Sequence, residues 1–112
     1  MFWRTKGTFE DVDIASLKQG LADGLLIVVD VREPHEYAAG HIPGAVSAPL
    51  SSFDPTALPR PEGKQIILAC QAGARSLRAL KAAAEAGRDD VHAHFGGGFS
   101  AWRAAGEVVE AG

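Results

Sequence analysis

The residue of this sequence with the clearest capacity for chemistry is Cys70, the single cysteine of the chain. It follows an apolar stretch at 66–69 and precedes a short loop of small residues and a predicted helix. A thiol becomes a nucleophile as the thiolate, and a helix amino terminus, backbone N–H groups and a nearby guanidinium each favour that charged form. The sequence therefore predicts that Cys70 is a reactive nucleophile.

The loop that follows Cys70 has the composition of a cradle for an anion. Gly73 and the alanines beside it let the backbone curl with its amides turned inward. Arg75 supplies a permanent positive charge, and Ser76 is predicted to be the N-cap of the next helix. Together these features would stabilise a sulfur anion at position 70.

A buried structural cysteine is the alternative, because free cysteine often behaves as a small hydrophobic residue. A core cysteine would be expected inside the run 66–69, whereas Cys70 lies at the carboxyl end of that run. Open α/β sheets place their ligand crevices at the carboxyl ends of their strands. The position of Cys70 therefore favours the reactive thiol.

Composition and charge limit the remaining possibilities. With 112 residues, 46% of them hydrophobic, the chain is expected to fold as one domain over 1–112 without disulfides or metals. A net charge of −3 and the lack of a basic stripe argue against nucleic acid as a partner. No stretch has the length and apolar character of a secretory signal or membrane span, so we expect a cytoplasmic protein without membrane contact. A single cysteine also means that any second thiol must come from another molecule.

The elements that would position Cys70 alternate between strands and helices. Such alternation predicts a mostly parallel sheet with helices on both faces. The predicted strands are 9–12 at an edge, 25–29, a short one near Val46, 66–69 and 91–95. The predicted helices are one capped by Asp13 or Ser16, one over 33–40, one from Ser76 to Gly87 and one over 99–105, and the proline-rich stretch 47–63 is predicted to be a surface connection.

Four separate stretches of the sequence resemble one family, the single-domain rhodaneses or thiosulfate sulfurtransferases. These stretches are Asp30–Tyr37 (DVREPHEY), Gly40–Ala45 (GHIPGA), Cys70–Ser76 (CQAGARS) and Gly97–Trp102 (GGFSAW). They occur in the family's order and span nearly the whole chain. The resemblance implies a small α/β fold with a central, mostly parallel sheet of about five strands.

The resemblance also implies an activity and a set of site residues. Cys70 would take the outer sulfur of thiosulfate or another persulfide donor and pass it to cyanide, a thiol or a protein acceptor, with no cofactor or metal. Asp30 and Arg32 could touch substrate, but their place at the end of a buried strand favours structural support of the loop. His41, in a turn typical of the family, is expected to have the same supporting role, and a catalytic role for it is not needed. The substrate would be bound by the loop residues Gln71, Ala72, Gly73, Ala74, Arg75 and Ser76, largely through their backbone amides.

Two other functions stay open at this point. One is a non-catalytic or carrier module that docks on a sulfur-trafficking partner, and neutral Gln71, where many members carry a basic residue, favours a thiol or protein donor. The other is phosphatase or arsenate reductase chemistry, which uses a related cysteine loop. The four residues between Cys70 and Arg75 are one fewer than those loops contain, so the ring is expected to be too narrow for phosphate.

Two histidines and one tryptophan are the remaining candidates for a functional role. His92 and His94 lie two apart near Asp89 and Asp90, but without a third spaced ligand they are weak evidence for a metal, and a solvated strand face is the prediction. Trp3 receives no role from the sequence.

Overall fold

A computed structural model describes the backbone of residues 4–6 and the whole of residues 9–112; Trp3 lies outside these residues. The strands are β1 (Arg4–Lys6), β2 (Phe9–Asp11), β3 (Leu26–Asp30), β4 (Val46–Ser47), β5 (Gln65–Ala69) and β6 (Ala93–Phe95). The helices are α1 (Ile14–Ala22), α2 (Pro34–Ala39), α3 (Ala74–Glu85) and α4 (Gly98–Ala104), with 3₁₀ turns at Leu50–Ser52 and Pro55–Ala57. No helix in this described part is long and apolar enough to cross a bilayer.

The strands form one sheet in the order β1-β2-β6-β5-β3-β4. Five of them, β2 to β6, run parallel, and β1 is added antiparallel to β2. The predicted α/β class with a mostly parallel sheet is confirmed. The prediction that 9–12 forms an edge strand is wrong, because β2 is bordered by β1 on one side and β6 on the other.

Helices cover both faces of the sheet, which explains why β3 and β5 are continuous apolar runs rather than alternating ones. On one face a buried cluster joins the sheet to α1 and α4, with Leu17, Phe99 and Trp102 among its members. On the other face a second cluster includes Leu80 of α3 and Cys70. Phe99 and Trp102 are both buried there.

The connection between β4 and β5 is tied to the body of the protein by a buried arginine. Arg88 is 2% exposed, and its guanidinium donates to the carbonyl oxygens of Pro55, Leu58 and Pro59 as well as to the carboxylate of Asp90. The connection therefore runs over the surface as predicted, yet it is held by polar contacts that its own sequence does not reveal.

The position of β5 in the sheet determines what surrounds Cys70. β5 pairs with β3 on one side and with β6 on the other, and all three strands run parallel. Their carboxyl ends therefore meet at one edge of the sheet. Cys70 is placed there between Asp30 at the end of β3 and the glycines that follow Phe95 at the end of β6.

Candidate active site

The segment 70–76, called here the Cys70 loop, is a tight turn from β5 into α3. Gly73 has a φ of +101°, in the left-handed region that favours glycine, and it is the N-cap of α3. The prediction that Ser76 caps this helix is therefore wrong. Because the chain reverses at Gly73, the helix begins at Ala74, and Ser76 falls in its first turn with its side chain buried.

The Cys70 loop encloses the sulfur with hydrogen-bond donors. The amide of Gly73 donates to Sγ at 3.1 Å and that of Ser76 at 3.3 Å. The hydroxyl oxygen of Ser76 lies 3.6 Å from the same sulfur. Residue 70 is only 2% exposed, so the sulfur lies at the bottom of this bowl rather than on the surface.

The environment of Cys70 favours its thiolate form. Burial alone raises the pKa of the thiol, but the hydroxyl and amide of Ser76 and the amides of Gly73 and Ala72 more than offset this, so the net pKa is lowered. The residues Gln71 and Ala72 line the outer side of the loop, half-buried and exposed respectively, and Ala74 is exposed in the first turn of α3.

Glycines from another part of the chain press against the Cys70 loop. A Cβ at Gly73 would lie 2.6 Å from the carbonyl oxygen of Gly96, and a Cβ at Gly98 would lie 2.4 Å from that of Gln71. The amides of Phe99 and Ser100 donate to the carbonyl oxygens of Cys70 and Gln71 at 2.8 and 3.1 Å. The start of α4 thus fixes the outer backbone of the loop, which leaves its inner amides free to face the sulfur.

Arg75 is held by a carboxylate from α2. Its Nη1 and Nη2 donate to the two oxygens of Glu36 at 2.7 and 3.0 Å, a bidentate pair. The hydrogen bond from Arg75 lowers the pKa of Glu36 to about 2, and Glu36 in turn raises the pKa of Arg75. The guanidinium that was expected to supply the counter-charge of the loop is therefore already paired.

Asp30 and Arg32 form a buried ion pair next to the loop. Nη2 of Arg32 donates to Asp30 at 2.7 Å and to the carbonyl oxygen of Gly40 at 2.8 Å, and its guanidinium lies 4.2 Å from the centre of the Phe99 ring. His41 is also buried, with Nδ1 2.8 Å from the carbonyl oxygen of Tyr37. These contacts link the ends of β3 and α2, and the hydrogen bonds given for these three side chains go to residues other than Cys70.

Comparison with known proteins places this geometry in a family. Residues 13–105 match the family model described as a rhodanese-like domain. The chain belongs to the rhodanese-like domain family. The match covers every residue that the sequence analysis assigned to the site.

Relatives of this rhodanese-like domain include proteins named as sulfurtransferases. It is 33% identical to thiosulfate sulfurtransferase GlpE of Pseudoalteromonas translucida, over 91% of this chain and 97% of that protein. The solved structure of human single domain sulfurtransferase TSTD1 matches with a TM-score of 0.71 and 30% identity, over 84% of this chain and 95% of that chain. Uncharacterized protein slr1261 of Synechocystis is 43% identical over 81% of this chain, and the chain spans 50% of the length of that relative.

Two residues near the site of this rhodanese-like domain were missed by sequence reasoning. Glu36 is the partner of Arg75, and Nδ1 of His94 lies 2.7 Å from the hydroxyl oxygen of Ser76. The prediction that His94 faces solvent is wrong, because α3 covers that face of β6. His94 and Phe95 are neighbours in a strand, so their side chains point to opposite faces of the sheet. Because helices were predicted on both faces, the sequence could have indicated that His94 is covered as well.

His92 does not join a metal site. Its Nε2 lies 3.3 Å from the side-chain nitrogen Nε2 of Gln65, and its Nδ1 lies 3.7 Å from the carboxylate of Glu10. Within residues 9–112, no group of three or more histidine, cysteine or acidic side chains is placed to hold a metal ion.

Proposed function

We propose that this rhodanese-like domain is a sulfurtransferase in which Cys70 carries sulfur as a persulfide. The observation that supports this most directly is the pair of amides, from Gly73 and Ser76, that donate to Sγ, with the hydroxyl oxygen of Ser76 at 3.6 Å beside them. Such donors favour a thiolate at rest and a persulfide anion after reaction. A separate general base is not required when the thiolate already exists.

The proposed reaction is a double displacement. The thiolate of Cys70 attacks the outer sulfur of thiosulfate, the sulfur–sulfur bond of thiosulfate breaks, and sulfite leaves with the bonding pair. The Cys70 persulfide then reacts at its terminal sulfur with cyanide or an acceptor thiolate. That second step breaks the new sulfur–sulfur bond and returns Cys70 as a thiolate, so no external oxidant or reductant is needed.

The test is incubation of the protein with thiosulfate followed by intact-mass measurement. The proposal expects the protein to gain the mass of one sulfur atom and to lose it on treatment with cyanide or dithiothreitol. The matched control is Cys70→Ser, which keeps the size of the side chain and removes the nucleophile. A wild-type protein that gains no sulfur from thiosulfate or from a low-molecular-weight persulfide would contradict the proposal.

A carrier module that loads sulfur but turns over slowly with free anions is the second candidate. Two observations favour it: Cys70 is 2% exposed, and the guanidinium of Arg75 is already paired with Glu36. Both features weaken the attraction of a small dianion from solution. Steady-state production of thiocyanate separates the candidates, because a carrier would be loaded once by a persulfide donor and show negligible turnover with thiosulfate and cyanide.

The size of the Cys70 loop argues against phosphatase chemistry. Four residues separate Cys70 from Arg75, and the loop amides converge on the sulfur itself at 3.1 and 3.3 Å. A bowl of this size suits a single sulfur atom better than a tetrahedral phosphate. Hydrolysis of an aryl phosphate by wild type but not by Cys70→Ser would show that the loop does accept a phosphate group.

A further inference from the structure

Cys70, Ser76 and His94 form a continuous chain of polar contacts. The hydroxyl oxygen of Ser76 lies 3.6 Å from Sγ of Cys70 and 2.7 Å from Nδ1 of His94. Ser76 is fully buried, and His94 is half-buried in β6 beneath α3. Cys70 and Ser76 take part in the proposed sulfur transfer, whereas His94 has no role in it so far.

The hydroxyl of Ser76 has one hydrogen and three neighbours that can accept it. These are the carbonyl oxygen of Gly73 at 3.1 Å, Nδ1 of His94 and the sulfur of Cys70. If His94 carries its proton on Nε2, then Nδ1 accepts the hydrogen of Ser76, and the hydroxyl oxygen is left to accept from a neutral thiol. If His94 carries its proton on Nδ1, the imidazole donates to Ser76 and the hydroxyl hydrogen is free to point at a thiolate.

We propose that His94 is a positioning residue for Cys70, acting through Ser76. In the reactive state Nδ1–H of His94 donates to the hydroxyl oxygen of Ser76, which donates its own hydrogen to the sulfur anion. When Cys70 ionises its proton passes to solvent, and His94 exchanges its proton from Nε2 to Nδ1 without a change in charge. The inference rests on the proposed function, because it assigns His94 to the same nucleophile.

The electrostatics of His94 agree with a neutral ring. Burial lowers the pKa of His94, and the carboxylate of Asp11, which faces it across the register of β2 and β6, acts in the opposite direction without cancelling the effect. From α3 the neutral hydroxyl of Ser76 contacts the ring, and through it the ring is linked to Cys70, the residue that follows β5. Near neutral pH the choice of tautomer, rather than the gain of a charge, therefore decides how His94 acts on Ser76.

Asparagine and leucine at position 94 make a matched pair for testing this role. In His94→Asn the side-chain nitrogen stands at the same distance along the side chain as Nδ1, so it keeps a donor toward Ser76. His94→Leu keeps comparable bulk and removes the donor. The measurement is the rate of alkylation of Cys70 by iodoacetamide as a function of pH, which reports the thiolate and needs no sulfur transfer.

We expect His94→Leu to shift the alkylation profile to higher pH and to slow alkylation near pH 7 roughly three- to tenfold, about the net effect of one ordinary hydrogen bond, because His94 acts on the sulfur only through Ser76. His94→Asn should stay near wild type. In a Ser76→Ala background, His94→Leu should have no further effect, since the link between the two residues is gone. Equal profiles for wild type and His94→Leu, a failure of His94→Asn to rescue, or a full His94→Leu effect without the Ser76 hydroxyl would each overturn the proposal.

Nitrogen chemical shifts of His94 in the wild-type protein give a test that needs no substitution. Above the pKa of Cys70 the ring should be the Nδ1–H tautomer, and an Nε2–H tautomer there would overturn the inference even if a variant fails to fold. The alkylation and tautomer measurements can succeed or fail independently of the sulfur-transfer test. A protein that gains no sulfur from any donor, yet shows the expected alkylation shifts, would contradict sulfur transfer and leave the role of His94 standing.

Discussion

At the scale of single residues, the reactivity of Cys70 is built from neutral donors rather than from a free cation. The hydroxyl and amide of Ser76 and the amides of Gly73 and Ala72 lower the pKa of the thiol against the effect of burial. Arg75 is close enough for the charge of Cys70 to raise its pKa slightly further, but Glu36 is its direct partner. The Cys70 loop therefore offers an incoming anion a nearly neutral entrance.

The pairing of Glu36 with Arg75 gives a prediction about anionic donors. In Glu36→Gln the guanidinium loses its counter-charge, so we expect thiosulfate to form the persulfide about two- to fivefold faster at low ionic strength, the range for a partly exposed ion pair. The measurement is the rate of sulfur addition by intact mass at several salt concentrations, and the gain should shrink as salt is added.

Glu33 provides the matched control for that prediction. It lies at the start of the same helix, but its carboxylate accepts from the hydroxyl of Ser51 at 2.6 Å rather than from Arg75. Glu33→Gln should leave the rate with thiosulfate nearly unchanged. Equal rates for Glu36→Gln and wild type at low salt would mean that Glu36 does not limit the attraction of the donor.

At the scale of elements, the start of α4 acts as a support for the Cys70 loop. Gly98 has a φ of +66°, and a Cβ there would lie 2.4 Å from the carbonyl oxygen of Gln71 and 2.6 Å from that of Cys70. We expect Gly98→Ala to cost several kcal/mol of unfolding free energy, above the roughly 1–2 kcal/mol of left-handed strain alone, and to slow alkylation of Cys70. Thermal unfolding and iodoacetamide kinetics measure the two effects.

Gly106 separates backbone strain from contact with the loop. Its φ is +74°, close to that of Gly98, but nothing lies within 4 Å of the Cβ position. Gly106→Ala should therefore show the strain alone and keep the wild-type reactivity of Cys70. If the two alanine variants lose equal stability and reactivity, the close approach of Gly98 to the loop has no energetic role.

The connection between β4 and β5 depends on Arg88. Its buried guanidinium satisfies the carbonyl oxygens of Pro55, Leu58 and Pro59, which would otherwise lack these donors. We expect Arg88→Met to lower the free energy of unfolding by about 3 kcal/mol, measured by urea denaturation.

Arg60 is a suitable control for that substitution. It pairs with the same Asp90, but at 3.8 Å and with 69% of its side chain exposed. Arg60→Met should change stability little, because exposed ion pairs contribute little. If Arg60→Met and Arg88→Met lower the free energy of unfolding equally, the ion pairs with Asp90, and not the hydrogen bonds of Arg88 to the carbonyl oxygens, account for the stability.

Much of the element pattern was predictable from the sequence, and the exceptions share one cause. The apolar runs of β3 and β5 and the cap of α1, where Asp13 accepts from the amide of Ser16 at 2.8 Å, follow from local rules. The start of α3, the cover over His94 and the role of Arg88 depend on segments distant in sequence. Glu36 and His94 join the site for the same reason, since no local pattern pairs residue 36 with 75 or residue 94 with 76.

At the scale of the whole molecule, the shifted groups act together on the pH dependence of stability. Four groups have a lowered pKa in the native state. Arg75 lowers the pKa of Glu36, and Arg88 lowers that of Asp90. Burial lowers the pKa of His94, and the loop donors lower that of Cys70 despite its burial. For each of them the unfolded chain binds protons more readily, so stability rises with pH until the unfolded value is passed. Tyr37 has the opposite sign, because burial raises its pKa above 10.0.

Because of Cys70, the free energy of unfolding should keep rising with pH on the alkaline side of neutrality, and one substitution should remove this rise. The pKa of Cys70 is lowered from 9.0, so between its native value and pH 9.0 the unfolded chain holds a proton that the native protein has released. Unfolding free energy should therefore keep rising in this window, by up to about 1.4 kcal/mol per pH unit for one proton. Urea denaturation from pH 6 to about 9 measures the slope, and Cys70→Ser, which cannot ionise, should flatten it while leaving the acid limb set by Glu36 and Asp90 intact. Parallel slopes for the two proteins in that window would mean that the loop does not favour the thiolate.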